Sequence, residues 1–137
     1  MFRHEIRVPY SAITLGNHVY YARYFDWLEA ARGEAFRELG TPFAELQESD
    51  AIFPVLECEI RYFKPARYDD VVEIRSWFSK LSAIRFEWEY EIARGGDVLA
   101  KARTSHVCAT MQEKPRKIPP ELARAMEPHL RAELATS

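Results

Sequence analysis

The sequence predicts an α+β fold in which one long helix lies against an antiparallel sheet of about five strands. A single strong helical pattern runs from about His18 to Leu39, and Gly40 with Pro42 supplies the stop. After it, apolar and polar residues alternate in four segments that are joined by short connections. Because parallel neighbours need long crossovers, these four strands are predicted to pair antiparallel.

The remaining elements follow in chain order. FRHEIRV, near the start, alternates as a short first strand that ends at Pro9. PFAELQES predicts a short second helix, and the four later strands are LECEIRYF, VVEIRSWF, RFEWEYEI and residues 98–110. Gly95 and Gly96 predict the hairpin turn before the last strand. PPELARAMEPHL predicts a C-terminal helix with proline in its first turn and an interruption near Pro128.

Length, composition and charge restrict the classes of function. A chain of 137 residues with 47% apolar and 13% aromatic residues is expected to fold as one domain. Its formal charge of -2 lacks the basic excess of nucleic-acid-binding proteins. No signal-peptide pattern or apolar run of membrane-spanning length occurs, so neither nucleic acid nor membrane is expected as a partner. Cys58 and Cys108 fall in predicted strands and are expected to be buried free thiols, which favours a cytoplasmic protein.

The long helix is apolar on two faces, although a helix that lies on one sheet needs only one. The first stripe is expected in the core and contains Tyr20, Tyr24, Trp27, Leu28, Ala31 and Ala35. The second stripe lies nearly opposite and contains Tyr21, Phe25 and Phe36. We expect a curled sheet, a second subunit or a ligand to cover the second stripe.

Glu29 lies on the second stripe, close to Phe25 and Phe36, whereas Asp26 lies away from its centre. A carboxylate between two aromatic rings is partly desolvated, which raises its pKa and suits a base or nucleophile. The alternative is an exposed ion pair with Arg32, three residues later, which contributes little to stability. The spacing leaves both interpretations open.

The loop before the helix, TLGNHV, contains no carboxylate. It contains neither the glycine pattern of a phosphate-binding loop nor the serine elbow of an α/β-hydrolase. No histidine or cysteine spacing is typical of metal ligands, so no metal or cofactor is expected. Gly16 and Asn17 precede the predicted helix, whose free N–H groups would form an oxyanion hole. For His18, the pattern leaves a structural role, pocket lining or a base open.

Several segments together resemble the hotdog-fold acyl-CoA thioesterases, and most closely the 4-hydroxybenzoyl-CoA thioesterase and YbgC-like group. The segments are RVPYSAITLGNHVYYARYFDWLEAAR, EIRYFKPARYDD, FEWEYEI and ARTSHVCA, and the likeness covers roughly residues 3–122. The resemblance implies one hotdog domain over residues 1–137, with a curved sheet wrapped around the central helix. It also implies a homodimer or homotetramer with active sites between subunits, and hydrolysis of an acyl-CoA or acyl-carrier-protein thioester without a cofactor.

The sequence departs from this family at the loop. Members usually carry Asp-x-x-Gly-x-Val before the helix, and counting back from Val19 without a gap places Thr14 at the aspartate position. A gap that moves the glycine of the motif onto Gly16 gives no acid there either. A second hotdog branch has its catalytic glutamate on the central helix, at the position of Glu29. Some thioesterases of enediyne polyketide pathways lack the loop acid too, and rely on polar loop groups and an arginine that matches Arg32.

The resemblance and the spacing together define the expected site. Glu29 is expected to act as base or nucleophile, and Asn17, His18 or Thr14 to orient the reacting groups. The expected substrate-binding residues are Tyr10, Tyr21, Phe25, Arg32, Lys80 and Arg85, with Lys64 and Arg103 as further candidates for the CoA phosphates. One alternative is a hotdog protein that binds acyl thioesters without catalysis. A hotdog dehydratase or hydratase is less well supported, because its histidine and aspartate motif is missing.

Overall fold

Five strands form one antiparallel sheet in the computed structural model, which describes residues 1–131. The strands are β1 (Phe2–Arg7), β2 (Val55–Tyr62), β3 (Val71–Leu81), β4 (Arg85–Arg94) and β5 (Asp97–Val107). Their order is β1-β3-β4-β5-β2, and every neighbouring pair is antiparallel. The predicted strand number and pairing are therefore confirmed. Residues 132–137, the end of the predicted domain, lie outside the described part.

The two faces of the β3–β4–β5 meander differ in polarity. The inner face is buried and mostly apolar; on β3 and β4 it consists of Val72, Ile74, Ser76, Phe78, Phe86, Trp88, Tyr90 and Ile92. The outer face carries ion pairs, such as those of Arg75 with Glu73 at 2.7 Å and with Glu91 at 3.1 Å. This one-sided burial is typical of an antiparallel sheet that is covered on one face only.

Helix α1 (Arg23–Glu38) covers the inner face and buries most of the predicted first stripe. It begins five residues later than the pattern predicts, so Tyr20 lies outside it and is 45% exposed. The reason is that His18 has extended backbone angles, with φ -99° and ψ 138°, while Val19 bridges to Ile13 and donates its N–H to the carbonyl of Ala66. Short 3₁₀ turns occupy the preceding loop instead.

The predicted second stripe does not form one surface. Phe36 is 1% exposed and stacks on Phe53 at 5.4 Å, because helix α2 (Phe43–Glu48) and the segment after it cover that end of α1. Tyr21 and Phe25, at the other end, are 62% and 36% exposed. Only the N-terminal half of the stripe therefore remains uncovered in the single chain.

Strand β2 lies at the edge of the sheet, and each of its residues except Ile60 is exposed. Cys58 lies on this strand, so the prediction that both cysteines are buried in strands is wrong for it. Cys108 is buried but lies just beyond β5. The C-terminal helix is α3 (Pro120–Met126), and the predicted interruption at Pro128 is present as a 3₁₀ turn. Within residues 1–131, no helix combines the length and apolar character required to cross a bilayer.

Candidate active site

Thr14 closes the loop that precedes α1. Its backbone N–H and its hydroxyl both donate to the carbonyl of His18, at 2.8 and 3.0 Å. The hydroxyl proton that was expected to orient a reacting group is therefore engaged within the loop. The side chains of Thr14 and His18 are both exposed.

Asn17 attaches the same loop to the turn before β3. Its side-chain oxygen accepts a hydrogen bond from the backbone N–H of Tyr68 at 3.0 Å. Arg67 donates from the same turn to the carbonyl of Gly16 at 3.3 Å. The prediction that Asn17 orients the substrate has no direct support in this geometry, because its amide oxygen is engaged in holding the loop. No pattern in the sequence relates Arg67 and Tyr68 to the loop, because they lie about fifty residues beyond it.

The first turn of α1 has backbone N–H groups that are engaged within the chain. The backbone N–H groups of Arg23 and Phe25 already donate to Tyr20 and Ala22, at 2.9 and 3.2 Å. Asn17 lies well before this first turn. These two N–H groups of α1 are therefore engaged, and an oxyanion hole formed by the N–H groups near Asn17 and His18 stays a prediction.

Exposed aromatic side chains surround the loop and the end of β2. We call them the aromatic patch; it consists of Tyr10, Tyr20, Tyr21, Phe25, Tyr62 and Tyr68. The Tyr62 hydroxyl donates to the carbonyl of Tyr21 at 2.8 Å, and Tyr10 packs edge-on against Tyr68 at 5.5 Å. Three predicted substrate-binding residues, Tyr10, Tyr21 and Phe25, are therefore in this patch.

Glu29 and Arg32 line a cavity of about 240 Å³ between α1 and residues 43–53. The Arg32 guanidinium donates to the hydroxyl of Tyr90 at 3.2 Å instead of forming the alternative ion pair with Glu29. Within residues 1–131, no hydrogen bond or ion pair is found at the Glu29 carboxylate. Glu29 is exposed in the single chain, so its predicted burial between Phe25 and Phe36 is wrong. Phe36 points into the core.

Glu29 and the loop do not meet within one chain. Glu29 lies six residues after Arg23 in α1, which corresponds to about 9 Å along the helix axis. The loop lies before the helix and on the turn at Arg67 and Tyr68. The action of Glu29 and the loop on one carbonyl therefore stays a prediction, and within one chain the length of α1 separates the two.

Lys80 and Arg85 line a larger cavity, of about 640 Å³, together with Ser79 and Ser82. Lys80 lies 3.4 Å from Glu87, its nearest carboxylate. The cavity lies at the end of β3 that is farther from the loop. Strand β3 spans eleven residues, which corresponds to a length of about 36 Å.

The two further phosphate-binding candidates are already paired with acids. Lys64 lies 3.1 Å from Asp97, and Arg103 lies 2.7 Å from Glu87 and 3.3 Å from Glu59. Lys80 is paired with an acid as well, but Lys80 and Arg85 line a cavity that Lys64 and Arg103 do not reach, which makes them the better placed pair. Among residues 1–131, no group of three histidine, cysteine or acidic side chains has a metal-binding arrangement.

A chain of buried polar groups lies behind Arg32, and it was not predicted from the sequence. From the Tyr90 hydroxyl it runs to Thr104 at 2.6 Å, to His106 Nε2 at 2.8 Å, and from His106 Nδ1 to the carbonyl of Phe53 at 3.1 Å. The pKa of His106 is lowered to about 4, chiefly by burial; the bond to Phe53 opposes this shift and the positive charge of Arg32 adds to it. The available signal was the placement of Tyr, Thr and His at inward-facing positions of β4 and β5.

Comparison with known proteins identifies the family. The model of the Thioesterase-like superfamily matches residues 8–126. The chain belongs to this superfamily. It is 30% identical over 132 residues to acyl-CoA thioesterase YbgC of Haemophilus influenzae, covering 95% of this chain and 96% of that protein. It is 29% identical over 100 residues to the 1,4-dihydroxy-2-naphthoyl-CoA hydrolase of Thermosynechococcus vestitus, covering 72% and 68%.

A solved structure confirms the fold of this thioesterase-like protein. A Thermus thermophilus protein superposes with a TM-score of 0.89 at 29% identity, covering 94% of this chain and 99% of that one. The predicted hotdog fold and the predicted family are therefore both correct.

Proposed function

We propose that this protein hydrolyses an acyl-CoA thioester to the free acid and CoA. The observation that carries the proposal is that Glu29 and Arg32 line one cavity without pairing with each other. An unpaired carboxylate can accept a proton from water, and a fixed guanidinium can stabilise an oxyanion. Membership of the superfamily and the names of two relatives, an acyl-CoA thioesterase and a naphthoyl-CoA hydrolase, support the same reaction.

The active site in this proposal is shared between two copies of the chain. Strand β2 offers an exposed edge, and such an edge is a template for pairing with another strand. Antiparallel pairing of two β2 strands about a two-fold axis places the Tyr62 end of one beside the Val55 end of the other. The Tyr62 end carries the loop and the aromatic patch, whereas Leu56 at the other end lines the cavity of Lys80 and Arg85.

In this pairing, the separation of Glu29 from the loop within one chain is no obstacle, because the two groups come from different copies. The loop and aromatic patch of one copy approach Glu29, Arg32 and the Lys80–Arg85 cavity of the other. We therefore infer a homodimer as the smallest active unit, with a homotetramer formed from two such dimers. Light scattering on the purified protein tests this inference, because the chain mass is 16.0 kDa. A stable particle of one chain mass at micromolar concentration contradicts it.

The proposed reaction uses Glu29 as a general base. Water loses a proton to the Glu29 carboxylate and attacks the thioester carbonyl carbon, and the resulting oxyanion faces the guanidinium of Arg32. The carbon–sulfur bond then breaks, and the thiolate takes the proton from Glu29. Removing one group that stabilises such an oxyanion typically lowers the rate by about 10²–10³.

The substrate class follows from what lines the two ends of the shared site. The aromatic patch suits an aryl or medium-chain acyl group, because aromatic side chains supply a large apolar contact area. Lys80 and Arg85 suit the phosphates of CoA. An acyl-carrier-protein thioester presents a single phosphate there, so CoA thioesters are the first substrates to test.

The alternative function is binding of acyl thioesters without hydrolysis. It is favoured by one observation, namely that Thr14 occupies the position of the family's loop aspartate and bonds to His18 instead. In this alternative, Glu29 has no role in chemistry. The cavities and the aromatic patch then serve binding alone.

A panel of acyl-CoA and aroyl-CoA thioesters, followed by release of free thiol, tests the proposal. Wild-type protein should release thiol from at least one member, and Glu29→Gln should lower kcat by about 100-fold or more. Glu34→Gln is the matched control, because Glu34 is an exposed acid on the same helix that pairs with Arg37. Tight binding of the panel without thiol release by the wild type would establish the alternative.

A further inference from the structure

Four side chains and one backbone carbonyl form a continuous hydrogen-bonded series from the edge of the cavity into the core. Arg32 is half-buried, and the next three members, Tyr90, Thr104 and His106, are 1%, 1% and 2% exposed. The successive distances are 3.2, 2.6 and 2.8 Å, and the series ends at the carbonyl of Phe53 at 3.1 Å. The members come from α1, β4, β5 and the segment before β2.

The groups at the two ends determine which member donates and which accepts in each hydrogen bond of this series. A guanidinium can only donate, and a carbonyl can only accept. The proton of His106 therefore lies on Nδ1, and Nε2 accepts from the hydroxyl of Thr104. Thr104 then accepts from the hydroxyl of Tyr90, and Tyr90 accepts from Arg32. The low pKa of His106, caused first by burial, agrees with a neutral imidazole that has one acceptor nitrogen.

These polar side chains are not needed to fill the core. Neighbouring inner-face positions hold Phe86, Trp88 and Ile92, and apolar residues at buried sites are often at least as stabilising as polar ones. Buried polar groups that are fully hydrogen-bonded do, however, fix one arrangement of the groups that they contact. In this protein, the group held in one position at the cavity end of the series is the Arg32 guanidinium.

Arg32 has a competing partner on its own helix. Glu29 is three residues earlier, and side chains at this spacing are neighbours on a helix surface. The other two arginines of α1 that have an acid at this spacing do pair with it: Arg23 with Asp26 at 3.5 Å, and Arg37 with Glu34 at 3.5 Å. Arg32 instead binds Tyr90.

We propose that Tyr90, Thr104 and His106 are positioning residues that hold the Arg32 guanidinium away from Glu29, so that both groups remain available in their shared cavity. The inference rests on the proposed hydrolysis, in which Glu29 accepts a proton and Arg32 stabilises the oxyanion. Without the Tyr90 hydroxyl, Arg32 is free to form the ion pair with Glu29. That pair lowers the basicity of the carboxylate and removes the cation from the oxyanion.

A double-mutant cycle separates positioning from a structural role. Tyr90→Phe should lower kcat about tenfold or more while KM changes by less than about threefold, because the substrate's remote contacts are intact. In an Arg32→Gln background, the same Tyr90→Phe change should have an effect of less than about twofold. Ser76→Ala, which removes another buried hydroxyl of the inner face, should leave kcat unchanged. A loss from Tyr90→Phe that persists in the Arg32→Gln background overturns the inference.

The pH dependence of kcat gives a second measurement, which a purely structural role of Tyr90 would not change. The titratable or charged groups around Arg32 are Glu29 on α1, Cys58 on β2, Tyr90 on β4 and His106 on β5. In Tyr90→Phe, the acid limb of kcat should move to lower pH, because Glu29 gains a cationic partner. An unchanged acid limb together with a normal kcat overturns the inference.

Side-chain NMR decides the inference even if the protein hydrolyses no thioester. A ¹⁵N spectrum should place the single proton of His106 on Nδ1 at neutral pH. A slowly exchanging Arg32 side-chain N–H signal in the wild type should be lost in Tyr90→Phe. Absence of hydrolysis with these signals present defeats the proposed function and keeps the positioning of Arg32. An Arg32 signal that is identical in the two proteins overturns the positioning.

Discussion

The side-chain oxygen of Asn17 accepts a hydrogen bond from the backbone N–H of Tyr68, 3.0 Å away and 51 residues later in the chain. Asn17 has a φ of 59°, a conformation that asparagine tolerates better than most residues. The loop is therefore held in its shape by the turn that precedes β3, which follows α1 in the chain. A loop aspartate is not required for that shape.

Two substitutions at Asn17 separate its conformation from its hydrogen bond. Asn17→Ala should lower the free energy of unfolding by about 2 kcal/mol, from the strained φ together with the lost bond. Asn17→Gly should lower it by about 1 kcal/mol, since glycine adopts this φ freely and only the bond is lost. Urea denaturation measures both. Equal losses for the two variants contradict this division.

Thr14 tests whether the missing loop acid matters. Thr14→Ala removes the bond to His18 and should lower kcat by at most about tenfold, whereas Thr14→Ser should be close to wild type. Thr14→Asp restores the residue usual in the family. Because an ionised carboxylate cannot donate to the His18 carbonyl and repels Glu29, we expect an equal or lower rate. A clear gain in thiol release by Thr14→Asp would favour the alternative function.

Lys80 and Arg85 should act on the nucleotide part of the substrate only. Replacing both by alanine should raise KM for an acyl-CoA by about tenfold, because two charge-assisted contacts to phosphate are lost. The kcat/KM for the matching N-acetylcysteamine thioester, which has no phosphate, should stay the same. Lys114→Ala, in an exposed turn, is the charge control. An equal effect on both substrates contradicts a phosphate-binding role.

His106 should make the fold sensitive to mild acid. Its pKa falls from the usual 6.5 to about 4 in the folded chain, so below pH 6.5 the unfolded chain binds a proton that the folded chain does not. Stability should therefore decrease as the pH falls from 6.5 to 4, by about 3 kcal/mol in total. His106→Gln, which cannot titrate, should be less stable at pH 7 and should show a flatter dependence. Parallel curves for the two proteins contradict the prediction.

The strands and the core helix could be predicted because their signals are local. In RFEWEYEI the buried residues recur at every second position, and this period alone places Phe86, Trp88 and Tyr90 on the inner face. The start of α1 was predicted wrongly, because Val19 is held by its bridge to Ile13 and by the bond from its N–H to the carbonyl of Ala66. Val19 and Ala66 are far apart in the sequence, and neither the helical nor the strand period predicts a contact between them.

The same limit applies to the candidate site. Spacing placed Phe25, Glu29 and Phe36 on one stripe, but α2 and the adjacent segment cover Phe36 and leave the others exposed. The series from Arg32 to Phe53 combines residues up to 74 positions apart, counted from Arg32 to His106. Each member appears alone in the sequence as an ordinary Tyr, Thr or His.

The strand order has a consequence for synthesis on the ribosome. The two outer strands, β1 and β2, are made before the central meander whose edges they occupy. Helix α1 is also complete before any of β3, β4 or β5 exists to cover it. At about 5–20 residues per second, the ribosome needs on the order of ten seconds to make the chain from α1 to the end of β5. During that interval the aromatic face of α1 is uncovered, and the nascent chain is exposed to aggregation through it.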